Sequence, residues 1–191
     1  MASRLIAITG GIGSGKSVVS RILKVMGYAV YDTDTQARRL MNQSADVKAR
    51  LVTCFGPEIY HNYNGLLNAH RLSQIVFGNN EALSCLNGIV HPAVRCDLQQ
   101  WAGRCQSQYA FVETALLYES RLCDIVDSIW KVTAPLTTRV QRVMARNGLT
   151  EAEVLARIEA QAAEDRVNEK THIIVNDGIE ALLPQVMRLL K

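Results

Sequence analysis

Long apolar runs are missing from this 191-residue chain. No stretch of 18 consecutive apolar residues occurs, which excludes a transmembrane helix of ordinary length. The N-terminus enters a candidate strand directly and shows no signal-peptide pattern. The five cysteines (54, 85, 96, 105 and 123) include no C-x-x-C pair, so neither a zinc site nor a redox dithiol is suggested. An odd count without an export signal fits reduced thiols and a cytoplasmic location. A net charge of +3 is too small to argue for nucleic acid as a partner. No internal repeat, low-complexity tract or domain linker is visible, so a single domain spanning residues 1–191 is expected.

One stretch stands out against these absences. Thr9-Gly-Gly-Ile-Gly-Ser-Gly-Lys-Ser17 contains G-x-x-x-x-G-K-[ST], the pattern of a phosphate-binding loop. Leu5–Ile8 before it reads as a buried strand, and Ser17–Met26 after it reads as a helix stopped by Gly27. Glycines let the backbone wrap phosphates closely, and the following helix N-terminus favours an anion. Gly11, Ile12, Gly13, Ser14, Gly15 and Val18 are therefore candidates for the nucleotide cradle. Lys16 would reach the β- and γ-phosphates of ATP, and the Ser17 hydroxyl would ligate Mg²⁺.

The rest of the chain alternates strands and helices. Tyr28–Asp32, Tyr109–Glu113, Ser128–Thr133 and His172–Val175 read as further strands. Five apolar strands alternating with helices predict an α/β fold, a parallel sheet covered on both faces. Thr33 and Gln36 form a capping-box pattern, which predicts a helix start at Thr33 with Asp34 in its first turn. If the backbone stays extended to Asp34, Asp32 and Asp34 point the same way. Parallel sheets bind ligands at the carboxyl ends of their strands, which puts both aspartates near the loop. Glu113 ends the third strand, where a Walker B carboxylate would sit, so Asp32 or Glu113 could order metal-bound water.

His91-Pro92 is expected to separate two helices, with the His91 backbone pushed towards extended geometry. Arg139, Arg142 and Arg146 are spaced three and four apart, which lines them along one helix face suited to phosphate. Thr150 and Glu153 form a second capping box, predicting a long helix to about Lys170 that carries Arg157, Gln161 and Arg166. An arginine-rich helical pair on a phosphate-loop core suggests a lid.

Together these motifs resemble the dephospho-coenzyme A kinase family. The resemblance covers nearly the whole chain. It rests on the opening T-G-G-I-G-S-G-K-S, on Asp32, Asp34, Ala37 and Arg38 as D-x-D-x-x-A-R, and on His91-Pro92. Ala115-Leu-Leu-Tyr-Glu119 resembles the family's P-L-L-F-E. Arg142 with Arg146, Arg157-Ile158 with Gln161, and Asn176 with Gly178 match later motifs.

The resemblance implies a P-loop kinase-like three-layer fold and transfer of the ATP γ-phosphate to the ribose 3′-hydroxyl of dephospho-coenzyme A. It implies a substrate-side helical region over about 60–105 and a lid over about 139–170. Asp34 would be the base. Arg142 and Asn176 would contact ATP, and Arg142 and Arg146 would act from the lid. Arg38, His91, Leu117, Glu119, Arg157 and Gln161 would bind the acceptor.

Two departures are Ala115 in place of proline and Lys170-Thr171 in place of alanine-aspartate. A nucleoside monophosphate or shikimate kinase would share the loop and lid but not D-x-D-x-x-A-R or H-P. A GTPase switch would need D-x-x-G and N-K-x-D, and neither occurs. A dead nucleotide-binding module is at odds with intact Lys16, Ser17 and Asp34.

Overall fold

Continuous apolar strands need cover on both faces; the central strands have it, while His172 and Ile173 in the last strand are exposed. The computed structural model describes residues 3–191. β1 (Arg4–Thr9), β2 (Ala29–Asp32), β3 (Tyr109–Glu113), β4 (Ser128–Thr133) and β5 (Thr171–Val175) form one parallel sheet in the order β2-β3-β1-β4-β5. Ile6 stands opposite Phe111 on one side and Ser128 on the other, which fixes the central register. The strands alternate with α1 (Lys16–Val25), α2 (Thr33–Gln43), α3 (Ala45–Phe55), α4 (Ala69–Val76), α5 (Asn80–Arg104), α6 (Leu136–Asn147), α7 (Glu151–Ala160) and α8 (Leu182–Leu189).

The described chain divides into two compact units. One runs to Tyr31 and resumes over Ala102–Lys191, and the other is Asp32–Trp101. In the first, Ile6, Ile8, Phe111, Trp130, Val132 and Ile174 face Val19 and Leu23 of α1 and Val186 of α8. Alternate residues Leu5, Ala7, Ala110, Val112 and Ile129 are buried on the other face. The second unit is helical, with its own core of Val47, Leu51, Ile59, Leu72 and Ile89.

Three expectations fail for identifiable physical reasons. The cap of α2 is Asp32, not Thr33: Asp32 is extended (φ −94°, ψ 110°) and its Oδ1 accepts from Thr35 N at 3.0 Å. Thr33 is already helical and buried, so its hydroxyl is not at the open helix end. The extended backbone therefore stops at Asp32, so Asp32 and Asp34 do not share a strand face. The Gln36 carbonyl accepts from Arg39 instead of closing a capping box.

His91-Pro92 does not break a helix, because α5 runs through it. The carbonyl deprived of its donor by Pro92 belongs to Gly88, whose backbone tilts most freely. Ile89, Val90, Val94 and Leu98 are buried on both sides of the proline, and that burial outweighs the lost bond.

The helix predicted to reach about Lys170 ends at Ala160, followed by a short 3₁₀ turn over Ala162–Glu164. Both halves of the Thr150–Glu153 capping box are present. The early end is tertiary in origin. Gln161 and Glu164 each bond backbone amides elsewhere in the unit, and a continued helix would carry them away.

Candidate active site

The connection leaving β1 turns towards β2, whereas the one leaving β3 crosses towards β4. β1 and β3 are neighbours, so a crevice opens at their carboxyl ends, the place where such sheets bind ligands. Two loops border it, Gly10–Gly15 after β1 and Thr114–Ser120 after β3.

The first loop has the geometry of a phosphate cradle. Gly10, Gly13 and Gly15 have φ of 145°, 78° and 98°. A Cβ on Gly10 would lie 2.2 Å from the Val132 carbonyl oxygen, and one on Gly15 would lie 2.0 Å from Asn176 Nδ2. Gly15 precedes α1 in left-handed geometry and supplies no side-chain cap, so the first-turn amides of the helix face the loop. Lys16 Nζ donates to the carbonyl of Gly10 at 2.6 Å and of Gly11 at 3.4 Å. Ser17 and Val18 are exposed on the first turn, and Glu113 is half-buried at the end of β3.

Four side chains hold this loop from outside. Asn176 is buried, and its Nδ2 donates to Ser14 O at 2.8 Å. Its backbone N–H bonds Thr133 O, which extends the β4–β5 ladder by one step. Arg142 reaches Gly13 O and Asn176 Oδ1, both at 3.4 Å. Gln161 Oε1 accepts from Ile12 N at 2.8 Å, and Arg139 Nε donates to Ile12 O at 2.9 Å. Arg142 and Asn176, expected at ATP, and Gln161, expected at the acceptor, all contact the phosphate loop. Arg139 was placed on the same helix face but not in the site, and its contact with Ile12 depends on packing.

The sequence signal also missed Lys131 and Glu164. Lys131 lies in β4, buried to 7% exposure. Its ammonium pairs with Asp165 and donates to Arg166 O at 3.2 Å. A lysine inside an apolar strand pattern was a readable anomaly, since buried charge needs a partner. Lys131, Arg139, Gln161 and Glu164 line, with Gly10 and Gly11, a cavity of about 170 Å³. Glu164 accepts from Tyr118 N at 2.9 Å and Glu119 N at 2.8 Å. Burial pushes the phenol of Tyr118 above its ordinary value.

The other expected site residues have these surroundings. Arg146 is exposed at the end of α6, its Nε on Asn147 Oδ1 at 2.8 Å. Arg157 is exposed on α7. Leu117 is wholly buried, and its carbonyl accepts from Leu122 and Cys123, so its side chain offers no surface to a ligand. Asp32, Asp34, Arg38 and His91 belong to the helical unit, where Asp34 and Arg38 are exposed and His91 is half-buried. At the departures noted above, Thr114 Oγ1 accepts from Leu116 N across Ala115 at 3.1 Å, and Lys170 Nζ donates to Val126 O at 3.3 Å.

Among the described residues no group of three or more His, Cys, Asp or Glu could hold a metal ion. The donor set fits Mg²⁺ none the less. That ion commonly takes one or two protein ligands with phosphate oxygens and water, and the exposed Ser17 hydroxyl beside a phosphate cradle supplies such a ligand.

Comparison with known proteins agrees with this geometry. The family model described as "Dephospho-CoA kinase" matches residues 4–181. A dephospho-CoA kinase of Porphyromonas gingivalis is 38% identical over 188 residues, covering 97% of this chain and 92% of the relative. One of Carboxydothermus hydrogenoformans is 36% identical, covering 98% and 93%. A crystal structure from Thermus thermophilus superposes with a TM-score of 0.80 at 36% identity, covering 100% of this chain and 95% of that one. A dephospho-CoA kinase structure from Campylobacter jejuni, at 21% identity and TM-score 0.69, shows the same fold. The chain belongs to the dephospho-CoA kinase family and is a phosphotransferase with an alcohol acceptor.

Proposed function

We propose that this protein transfers the γ-phosphate of ATP to the ribose 3′-hydroxyl of dephospho-coenzyme A, giving coenzyme A and ADP. The observation that carries this reading is the family match over residues 4–181, with a sterically intact phosphate cradle at its start. It favours this acceptor over a nucleoside monophosphate or shikimate. The enzyme would work in the cytoplasm. No described helix is long and apolar enough to cross a membrane.

The loop from Gly11 to Ser17, with Val18, wraps the phosphates of ATP, held in shape by Asn176, Arg142 and Gln161. Lys16 exchanges its bonds to Gly10 and Gly11 for the β- and γ-phosphate oxygens. Its charge sits where charge shifts during transfer. Ser17 would hold Mg²⁺, with Asp32 or Glu113 ordering its water, and the bound ion would supply positive charge at the phosphate oxygens. Asp34 accepts the proton of the 3′-hydroxyl as its oxygen bonds to the γ-phosphorus and the bridge to the β-phosphate breaks.

Arg38, His91 and Glu119 orient the acceptor, with Arg157 of α7. Leu117 contributes by shaping its loop. Gln161 acts through Ile12. The region 60–105 forms the acceptor side and 139–170 the lid, from which Arg142 and Arg146 meet the transferring group. Residues 1–191 act as one kinase domain.

The test is direct. The purified protein with ATP, Mg²⁺ and dephospho-coenzyme A should yield ADP and a product heavier by one phosphate. AMP, shikimate and water serve as competing acceptors. Preferred phosphorylation of AMP or shikimate overturns the reading.

A further inference from the structure

We propose that Glu164 is a positioning residue that fixes the loop after β3 relative to the phosphate loop, and so sets the acceptor's distance from ATP. The proposal rests on the phosphoryl-transfer reading above and adds a residue that the sequence motifs do not single out.

The loop closes on itself at Leu116 and Leu117, with Leu116 N on Thr114 Oγ1 at 3.1 Å and Leu122 N on Leu117 O at 3.0 Å, while the Tyr118 and Glu119 amides turn outward to Glu164. No proline lies between Thr114 and Ser120, and Ala115-Leu116-Leu117 imposes no backbone angle of its own. Both oxygens of the Glu164 carboxylate engage it. Oε2 takes the N–H of Tyr118 at 2.9 Å and Oε1 takes that of Glu119 at 2.8 Å. Charge-assisted bonds of this length are roughly twice as strong as neutral ones. Two consecutive amides on one carboxylate also fix the relative orientation of the two peptide planes that meet at the Tyr118 Cα.

Glu164 is itself held on a short, anchored segment. Three residues earlier, Gln161 bonds Ile12 N of the phosphate loop at 2.8 Å. The 3₁₀ turn joins the two, with Glu164 N on Gln161 O at 3.0 Å. One residue later, Asp165 pairs with buried Lys131, which also bonds Arg166 O. The Arg166 guanidinium lies 5.2 Å from the centre of the Tyr118 ring. A single short turn thus bonds a backbone amide of each loop bordering the crevice.

Transfer between two bound substrates depends steeply on their spacing, and a misplacement of about 1 Å can cost about 10²-fold. Glu164 touches neither substrate in this account. Its effect passes through Tyr118 and Glu119.

The experiment compares wild type, Glu164→Gln and Glu164→Ala in steady-state kinetics with each substrate varied, alongside amide hydrogen exchange. Glu164→Gln keeps one acceptor oxygen and turns an N–H₂ towards the second amide, so it should be intermediate. Glu164→Ala should lower kcat/KM for dephospho-coenzyme A by about tenfold to a hundredfold while leaving the ATP KM within about twofold. A purely structural role would move both constants together with the melting temperature. Exchange at Tyr118 and Glu119 should accelerate at least about tenfold in Glu164→Ala, read without any substrate. Unchanged exchange there, or acceptor kinetics equal to wild type in Glu164→Ala, overturns the proposal. Failure of the wild type to phosphorylate dephospho-coenzyme A overturns the function reading instead, and the exchange measurement still decides whether Glu164 holds the loop.

Discussion

Asn176 donates its side-chain amide to the Ser14 carbonyl at 2.8 Å, joining the end of β5 to the phosphate loop across 162 positions of sequence. The same nitrogen occupies the space that a Cβ on Gly15 would need. Asn176→Ala should therefore loosen the loop. Leaving a buried carbonyl unpaired costs about 1–3 kcal/mol, and the ATP KM should rise about tenfold. Thermal unfolding and ATP titration check this. Gly15→Ala should be worse, because it adds both the clash and a side chain at φ 98°.

Lys16→Ala should reduce kcat by at least about 10²–10³-fold, the scale of removing one preorganised transition-state donor. Fold and melting temperature should change little, because Lys16 is a half-buried surface residue of α1. A correctly folded variant with normal kcat would exclude this role.

The arginines on α6 should separate by kinetic signature. Arg139 bonds the Ile12 carbonyl, so Arg139→Ala should raise the ATP KM. Arg146 is exposed at the end of α6. If it meets the phosphoryl group on lid closure, Arg146→Ala should lower kcat with little change in ATP KM. A normal kcat would mark Arg146 as a solvated side chain.

Asp32 and Asp34 should also part company. Asp32 caps α2 through Oδ1, so Asp32→Ala should cost about 1 kcal/mol of stability. Asp34→Asn should lower kcat by about 10²–10⁴-fold with ATP affinity kept, as expected for loss of a general base. If Asp32→Asn loses kcat and Asp34→Asn keeps it, the two roles are reversed.

The start of α7 should respond to acid. Hydrogen bonds from the Thr150 hydroxyl and then the Thr150 backbone hold the Glu153 carboxyl below its ordinary value. The unfolded chain therefore takes up this proton first as pH falls. The associated stabilisation is present above the ordinary glutamate range and is lost as pH drops through the folded value. The protection factor of the first-turn amides of α7, exchange taken relative to the unstructured rate at the same pH, should fall with acid in wild type, and this response should shrink in Thr150→Val.

Local features could be read from the order of residues alone. A glycine loop between an apolar run and a helix can be read because its steric needs lie within nine residues. The strands were equally legible, since continuous apolar runs suit only a sheet buried on both faces. The Thr150–Glu153 box followed from nearest-neighbour rules. Tertiary structure decided what depends on partners distant in the chain. It carried α5 through Pro92, because burial on both sides outweighs one lost hydrogen bond. It gave the α2 cap to Asp32, because Thr33 is buried. It ended α7 at Ala160 so that Gln161 and Glu164 could reach backbone amides of Ile12, Tyr118 and Glu119. Glu164 belongs to no local motif, Lys131 shows in the chain only as a charge inside an apolar strand, and Arg139 shows its helix face but not its partner Ile12. Their place at the site comes from packing alone, since a hydrogen bond fixes a distance in space and leaves no period or spacing in the chain.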